Sequence, residues 1–342
     1  MKRLLDFLWP AIGLIVVVIS LWLLHKEFRG EAIGAHVWAN LRAISPGHYA
    51  LALASTLVAY AALAWYDRIA LMHLGVKHIS WRFITLCSFT TYALGHNIGA
   101  SVFSGAMVRY RAYSSKGLSA AQIAVLVAIC SLTFALGTLL LSGLVLTIAP
   151  EQLHRLSGFL PAYLTDTRTA RTIGFLCLGI AGAYTVGSIL RLKPLTIAGF
   201  RIEYPRPAIT LRQFLAASME LLGAAGIIYF ALPEAGNPGY FFVLGVFLAS
   251  FTAALASHAP GGLGVFELSF VNAMPDVNSV DVLTALVVFR VLYLLLPLLI
   301  AAVVVVLFER RKLGEALDGA GKPAPRAGVK LAKDAKLAGD KG

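Results

Sequence analysis

Charge is what this sequence has least of. Only 13% of its 342 residues are Asp, Glu, Lys or Arg, and acids are the scarcer sign, 17 against 29. With 58% hydrophobic residues and a mean hydropathy of +0.78, this scarcity excludes an ordinary soluble domain, because several apolar runs are long enough to cross hydrocarbon. A formal net charge of +12 would point to nucleic acid in a soluble chain. Here the basic residues gather in short loops and the C-terminal tail, where they orient a membrane protein and meet anionic lipid. No nucleic acid partner is expected.

Cysteine is nearly absent as well. Cys87, Cys130 and Cys177 lie in apolar runs with no CxxC partner, which excludes a disulfide framework and leaves them as small buried hydrophobes. Motifs of chemistry are missing too. There is no HExxH and no GxSG, since Val102-Phe103-Ser104-Gly105 lacks the leading glycine. There is also no GxxxxGK[ST], so nucleotide does not drive this protein. His96, His258 and Glu267 are too far apart in sequence to read as a metal set. The expectation is a protein that is not an enzyme, with no catalytic residue, metal or cofactor. The opening MKRLLDFLWPAIGLIVVVISLWLL has no small-x-small cleavage site directly after it, so it reads as an uncleaved first helix.

What is present is apolar sequence in long runs. Six can each span a bilayer: 8–24, 49–65, 121–149, 172–190, 214–232 and 282–308. Two more, 83–108 and 240–272, are interrupted by GHNIGAS and SHAPGGLG. A proline followed by three glycines in four residues does not continue a helix cheaply. Gly95-x-x-x-Gly99 has a second reading as a helix-packing motif in a plain spanning helix.

Basic residues distinguish crossing from dipping. If both broken regions are re-entrant hairpins and the N-terminus is cytoplasmic, the inside segments 1–7, 66–82, 109–119, 191–213 and 309–342 hold two, three, three, five and nine Lys+Arg. The outside segments 25–48, 150–171, 233–239 and 273–281 hold three, three, none and none. Full crossing instead would put Arg191, Lys193, Arg201, Arg206 and Arg212 outside, against the charge rule. The predicted architecture is therefore an all-α polytopic membrane protein with six spanning helices plus two re-entrant helical hairpins. Corresponding features in the two parts, His96 and His258 among them, recur at a spacing close to 162 residues, so halves of about 1–149 and 170–308 form an inverted repeat. Such repeats with broken helices are a recurring transporter plan. Residues 309–342 read as a disordered basic cytoplasmic tail.

Unwound backbone inside a membrane needs protein cover or a wet cavity, and helix N-termini facing such a cavity attract anions. Ionisable residues within the apolar runs sharpen the expectation, because each is costly facing lipid. Glu267 with Arg290 is the first pair the sequence suggests, and Glu220 with Arg109 the second. Arg290 is the expected phosphate contact, as its planar fork grips two oxygens. His96 and His258 would relay protons or bind a headgroup. Asp67 and Arg68 read as interfacial anchors. The competing structural reading is that such groups only fix helix positions.

SHAPGGLGVFE, GHNIGASVFSGAMVRYR and FRVLYLLLP together resemble the transmembrane region of the lysylphosphatidylglycerol synthase/flippase family, over about residues 5–310. In its two-domain members, the resemblance implies, this region moves aminoacylated phosphatidylglycerol between leaflets while a separate soluble domain synthesises it. No counterpart of that soluble domain follows Phe308, so the lysyl-lipid substrate does not carry over automatically. On the matching positions the resemblance places His96, Asn97, Gly99, Ser104, Gly105 and Arg109 at one gate. Pro260, Gly261, Gly262, Gly264, Glu267 and Arg290 fall at the other. The implied protein is a phospholipid translocator of the bacterial inner membrane with both termini cytoplasmic. A membrane partner or anchor for a lipid-modifying or glycosyl-transferring enzyme is the alternative.

Overall fold

A computed structural model describes residues 31–98, 101–151, 166–192, 195–197, 200–202, 204–257, 262 and 264–320. The helices, in chain order, are α1 (Glu31–Ala43), α2 (Pro46–His73), α3 (Trp81–Ile98), α4 (Ser101–Ser114), α5 (Ala120–Ile148) and α6 (Thr167–Ile189). After two short strands come α7 (Pro207–Ala231), α8 (Tyr240–Ser257), α9 (Val265–Ala273), α10 (Ser279–Phe289), a π-helical turn over Arg290–Leu295, and α11 (Leu296–Ala320). The strands β1 (Leu195–Ile197) and β2 (Phe200–Ile202) pair antiparallel, a small departure from the all-α expectation. The last helix runs on to Ala320, into the segment read as a disordered tail.

Local signals start these helices. Pro46 occupies the first turn of α2, where no amide is needed, and the Ser45 hydroxyl accepts from His48 N. Ser119 and Gln122 cap α5 reciprocally. The Asp166 carboxylate accepts from the amides of Arg168 and Thr169 at the head of α6. Six helical stretches among the described residues are long and apolar enough to cross a membrane: Pro46–His73, Ala120–Ile148, Thr167–Ile189, Pro207–Ala231, Tyr240–Ser257 and Ser279–Phe308. The fifth is half of the second broken region. The expected first span, 8–24, lies outside the described residues.

Touching residues give the helix directions. On α2 and α7, a Cβ at Gly223 would meet Ala59 N at 2.9 Å and one at Gly226 would meet Ser55 Oγ at 2.9 Å; numbers rise on one helix as they fall on the other, so the pair is antiparallel. On α5 and α7, Gly137 abuts Ala217 and Gln213 donates to Thr133, which makes them parallel. Helix α6 opposes α5, through Gly143 on Leu178 and Gly174 on Thr147. Helix α3 opposes α2, with Ser88 Oγ donating to Leu63 O and Phe89 packed on Tyr60. It also opposes the last span, through Leu94 with Leu298 and Asn97 with Leu294. Both broken regions fold back on themselves. Gly105 meets Thr91 and Tyr113 meets Phe83 in α3–α4; Gly262 meets Ala254 and Phe266 meets Phe247 in α8–α9.

Helices α2 and α7 form the centre. Small residues there (Ala59, Ala216, Ala217, Ala224 and Ala225 are all fully buried) let backbones come close. Around them α2 packs on α3 and α5, α3 on α4 and on α11, and α4 on α5. Correspondingly α7 packs on α8 and α10, α8 on α9 and on α5, and α9 on α10. Large apolar side chains of α6 (Phe175, Leu176, Ile180) and α11 (Leu299, Ile300, Val303) point outward, as a face in contact with lipid requires.

Candidate functional site: a buried column of ionisable and aromatic side chains

Among the described residues three carboxylates lie buried along the centre, and each is held differently. Asp67, on α2 near its C-terminal end, is completely buried. Arg109 of α4 reaches it with two donors, Nη2 to Oδ1 at 2.6 Å and Nε at 3.2 and 3.3 Å from the two oxygens. The Tyr113 hydroxyl donates to Oδ2 at 2.8 Å and the Cys130 thiol to Oδ1 at 3.5 Å. The guanidinium lies over the Tyr92 ring, 4.9 Å from its centre. A desolvated pair is stable only when its remaining hydrogen-bonding positions are filled, and these donors fill them. Asp67 is therefore no interfacial anchor: α2 continues to His73, two turns past the expected end of the span at 65, and carries the acid inside.

The expected partnership of Glu220 with Arg109 is not formed. Glu220, buried on α7, instead accepts from the Tyr293 hydroxyl at 2.7 Å and, more weakly, from the Tyr66 hydroxyl at 3.5 Å. Among the described residues no Lys, Arg or His pairs with it. Tyrosine carried no signal in the sequence, since an aromatic in an apolar run reads as core.

The expected pair of Glu267 and Arg290 is formed. Arg290 Nε and Nη2 both meet Glu267 Oε1, and both residues are buried. The other oxygen, Oε2, accepts from the Gly264 amide at 2.9 Å, so Glu267 also caps the N-terminus of α9. Gly262 and Gly264 adopt φ of +65° and +79°, conformations glycine alone takes without strain. That is the physical content of the glycine run.

Arg290 opens the π-helical turn, which leaves carbonyls off the regular ladder. The Tyr60 hydroxyl donates to Tyr293 O at 2.9 Å, and Asn97 Nδ2 donates to Leu294 O at 3.1 Å. Asn97, expected at a gate, thus ties the first folded-back pair to the last span. His96 beside it stacks on Tyr293 (centroids 5.3 Å apart, planes at 23°) and leans on Tyr92 at 5.6 Å. Its Nδ1 is buried without a hydrogen-bond partner among the described residues. Gly105 provides close passage: a Cβ there would sit 3.1 Å from Thr91 Cγ2 and 3.6 Å from Arg109 Nη1.

The nodes connect through rings. Arg109 touches Tyr92, Tyr92 touches Tyr66 and His96, both lead to Tyr293 and Glu220, and Tyr293 stacks on Phe289 beside Arg290. Gly99, His258, Pro260 and Gly261 lie outside the described residues, as does the side chain of Ser104. Asp67, Tyr66, Tyr113, Cys130 and Tyr293 are the members that sequence reasoning missed. Asp67 had a usable signal, because the apolar run resumes after it as IALMHL.

No known family model matches the chain. It is 32% identical over 293 residues to the uncharacterized protein slr0712 of Synechocystis sp., covering 84% of this chain and 87% of that one. It is 30% identical over 312 residues to the inner membrane protein YbhN of Escherichia coli, covering 90% of this chain and 92% of that one.

Proposed function

This chain belongs to the family of slr0712 and the inner membrane protein YbhN, and on that premise we propose that it is a multi-pass protein of the bacterial inner membrane that moves phospholipid between leaflets. Its cargo carries an anionic or aminoacylated headgroup and passes through a cavity between two opposed re-entrant hairpins, α3–α4 and α8–α9, exposed to each side in turn. The protein itself catalyses no covalent chemistry. In this reading it is a translocator like the membrane region of the lysylphosphatidylglycerol synthase/flippase family that its motifs resemble.

The observation that carries the proposal is the pairing of two folded-back helix pairs in exchangeable positions, each tied by a buried arginine–carboxylate pair, the first to α2 and the second to the last span. Helix directions support it by parity. Helix α2 opposes α5 and α7 and runs with the last span, so each broken region returns to the side it left. Neighbour relations support an inverted repeat, since exchanging α2, α3, α4 and α5 for α7, α8, α9 and the last span preserves them. At the crossing of α2 and α7, Ala59 touches Gly223, close to the internal repeat spacing, as expected where a pseudo-twofold axis passes. Loop charge favours a cytoplasmic side for both termini in this reading. A headgroup phosphate offers guanidinium the same two-oxygen face as a carboxylate, so Arg290 can pass from Glu267 to cargo without being left unpaired.

The test is movement of a fluorescent phospholipid in proteoliposomes, read by an impermeant quencher. The wild-type protein should accelerate exchange over protein-free vesicles, and Arg290→Ala should slow it several-fold. Rates equal to those of empty vesicles would refute the proposal. If a lipid-modifying or glycosyl-transferring enzyme co-purifies with a protein inert by itself, the role is that of its membrane partner.

A further inference from the structure

We propose that Glu220 is the proton-binding site that couples lipid movement to the transmembrane proton gradient; the inference rests on the translocation reading and names its driving ion. The three buried carboxylates differ in what their partners can do. Arginine only donates hydrogen bonds and does not give up its proton, so Asp67 and Glu267 are held as anions by Arg109 and Arg290. A tyrosine hydroxyl both donates and accepts. Tyr293 and Tyr66 therefore hold Glu220 equally well as a carboxylate, to which they donate, and as a carboxylic acid, from which one of them accepts. Glu220 is the buried acid of this column built to exist in both states.

Its surroundings fit that use. From α2 it meets Tyr66, with Tyr60 nearly two turns away bonded to Tyr293 O; Asp67 beside them is taken up by Arg109. From α5 the nearest titratable group is Cys130, whose thiol is bonded to Asp67. From the π turn comes Tyr293, with Arg290 committed to Glu267. Tyr184 of α6 is bonded to Gln213 and Tyr240 of α8 to Leu222 O, and α10 presents only Asp281, bonded to Asn40 of α1. No fixed cation among the described residues competes with a proton at Glu220.

A second titratable group stands close by. His96 stacks on Tyr293, and its buried Nδ1 has no partner among the described residues. In the proposed step the Tyr293 hydroxyl passes its own proton to Glu220 Oε1 and is restored by a proton drawn from hydronium on the more acidic side of the membrane. One O–H bond of hydronium and one of the hydroxyl break, two O–H bonds form, and the carboxylate's negative charge is neutralised. The conformational consequence follows from where the tyrosines sit. Tyr66 belongs to the first half of the chain and Glu220 to the second, so the proton alters a hydrogen bond that joins the halves.

Infrared difference spectra of the purified protein between about pH 5 and 9 test the site without any transport. The carbonyl stretch of a protonated carboxyl group should titrate in the wild type, vanish in Glu220→Gln, and shift in frequency in Tyr293→Phe. Absence of such a band, or its survival in Glu220→Gln, overturns the inference. In proteoliposomes at one proton per lipid, a gradient of one pH unit should sustain a leaflet asymmetry of up to about tenfold in the wild type and none in Glu220→Gln. Lipid exchange that is fast but blind to the gradient overturns the coupling and leaves translocation standing. A titrating band together with no lipid movement at all would instead overturn translocation and, with it, the coupling.

Discussion

Replacing Asp67 by asparagine keeps the shape of the side chain and removes its charge, which isolates what the pair with Arg109 contributes. Asp67 is 0% exposed and Arg109 4%, so the guanidinium has no water to turn to when its partner is neutral. Breaking a buried pair from one side costs about 3–5 kcal/mol. Asparagine keeps one acceptor oxygen, so of Tyr113, bonded to Oδ2, and Cys130, bonded to Oδ1, only one retains its partner, and the lost bond adds on the order of 1 kcal/mol. Arg109→Gln leaves the opposite charge stranded and should cost about the same, roughly 3–5 kcal/mol. The double variant strands neither, and should be destabilised by at least about 2 kcal/mol less than the two single effects added together. Reversible unfolding of the purified protein in mixed micelles, followed by circular dichroism, measures all four corners of this cycle. Single variants within about 0.5 kcal/mol of wild type, or a double variant that is simply additive, would refute the claim that the pair is dry and mutually dependent.

Two further outcomes follow from packing and from topology. Gly223→Val forces a side chain onto Ser55 O and Ala59 N, which a Cβ alone would approach to 2.8 and 2.9 Å; it should destabilise by about 1–3 kcal/mol in the same unfolding assay, whereas Gly179→Ala, which meets nothing within 4 Å, should be neutral. In a cysteine-free background, Ser115→Cys and Phe200→Cys should react with an impermeant thiol reagent from the cytoplasmic side and Glu234→Cys from the other, checked by labelling of intact and opened cells.

How much of this was legible in the sequence depends on what each residue type announces. The second break was visible because a proline and a run of glycines do not continue a helix cheaply, and Gly262 and Gly264 do take left-handed φ; in the first, Gly95 to Ile98 of the expected break remain helical in α3. The pair of Glu267 and Arg290 was visible because two charges in apolar runs need one another. Asp67 was misread because the polar group Tyr66-Asp67-Arg68 depresses local hydropathy, which made the span seem to end at 65, whereas α2 runs to His73. Pairing by charge alone then offered Arg109 the wrong acid. Tyrosine is the larger blind spot. Tyr60, Tyr66, Tyr113 and Tyr293 supply hydroxyls to buried carboxylates and to the carbonyls freed by the π turn. Nothing in their sequence context distinguishes them from rings that only fill space, because the partners are 46 to 233 residues away.

The location of the ion pairs also constrains how the protein moves. Asp67, Arg109 and Cys130 all belong to the first half, and Glu267 and Arg290 both belong to the second. A motion that tilts one half against the other leaves both pairs intact, while a motion that swings a hairpin away from its own half breaks one, at a cost of about 3–5 kcal/mol before any cargo arrives. The contacts that join the halves are of another kind: small residues such as Gly226 against Ser55, and hydrogen bonds without an ion pair, from Tyr66 to Glu220 at 3.5 Å, Tyr60 to Tyr293 O at 2.9 Å, Asn97 to Leu294 O at 3.1 Å and Gln213 to Thr133 at 3.0 Å. Each costs less to exchange, about 1 kcal/mol, than breaking an ion pair, so the halves should rock about the crossing of α2 and α7. Native Cys130, 2% exposed and bonded to Asp67, reports on the first pair, and Ser55→Cys reports on the interface between halves. With Cys87 and Cys177 replaced by alanine, labelling at position 55 should quicken under a pH gradient with lipid present, while Cys130 stays protected. Cys130 labelling that rises in step with lipid movement would show that the pair opens and that the hairpin, not the half, is the moving part.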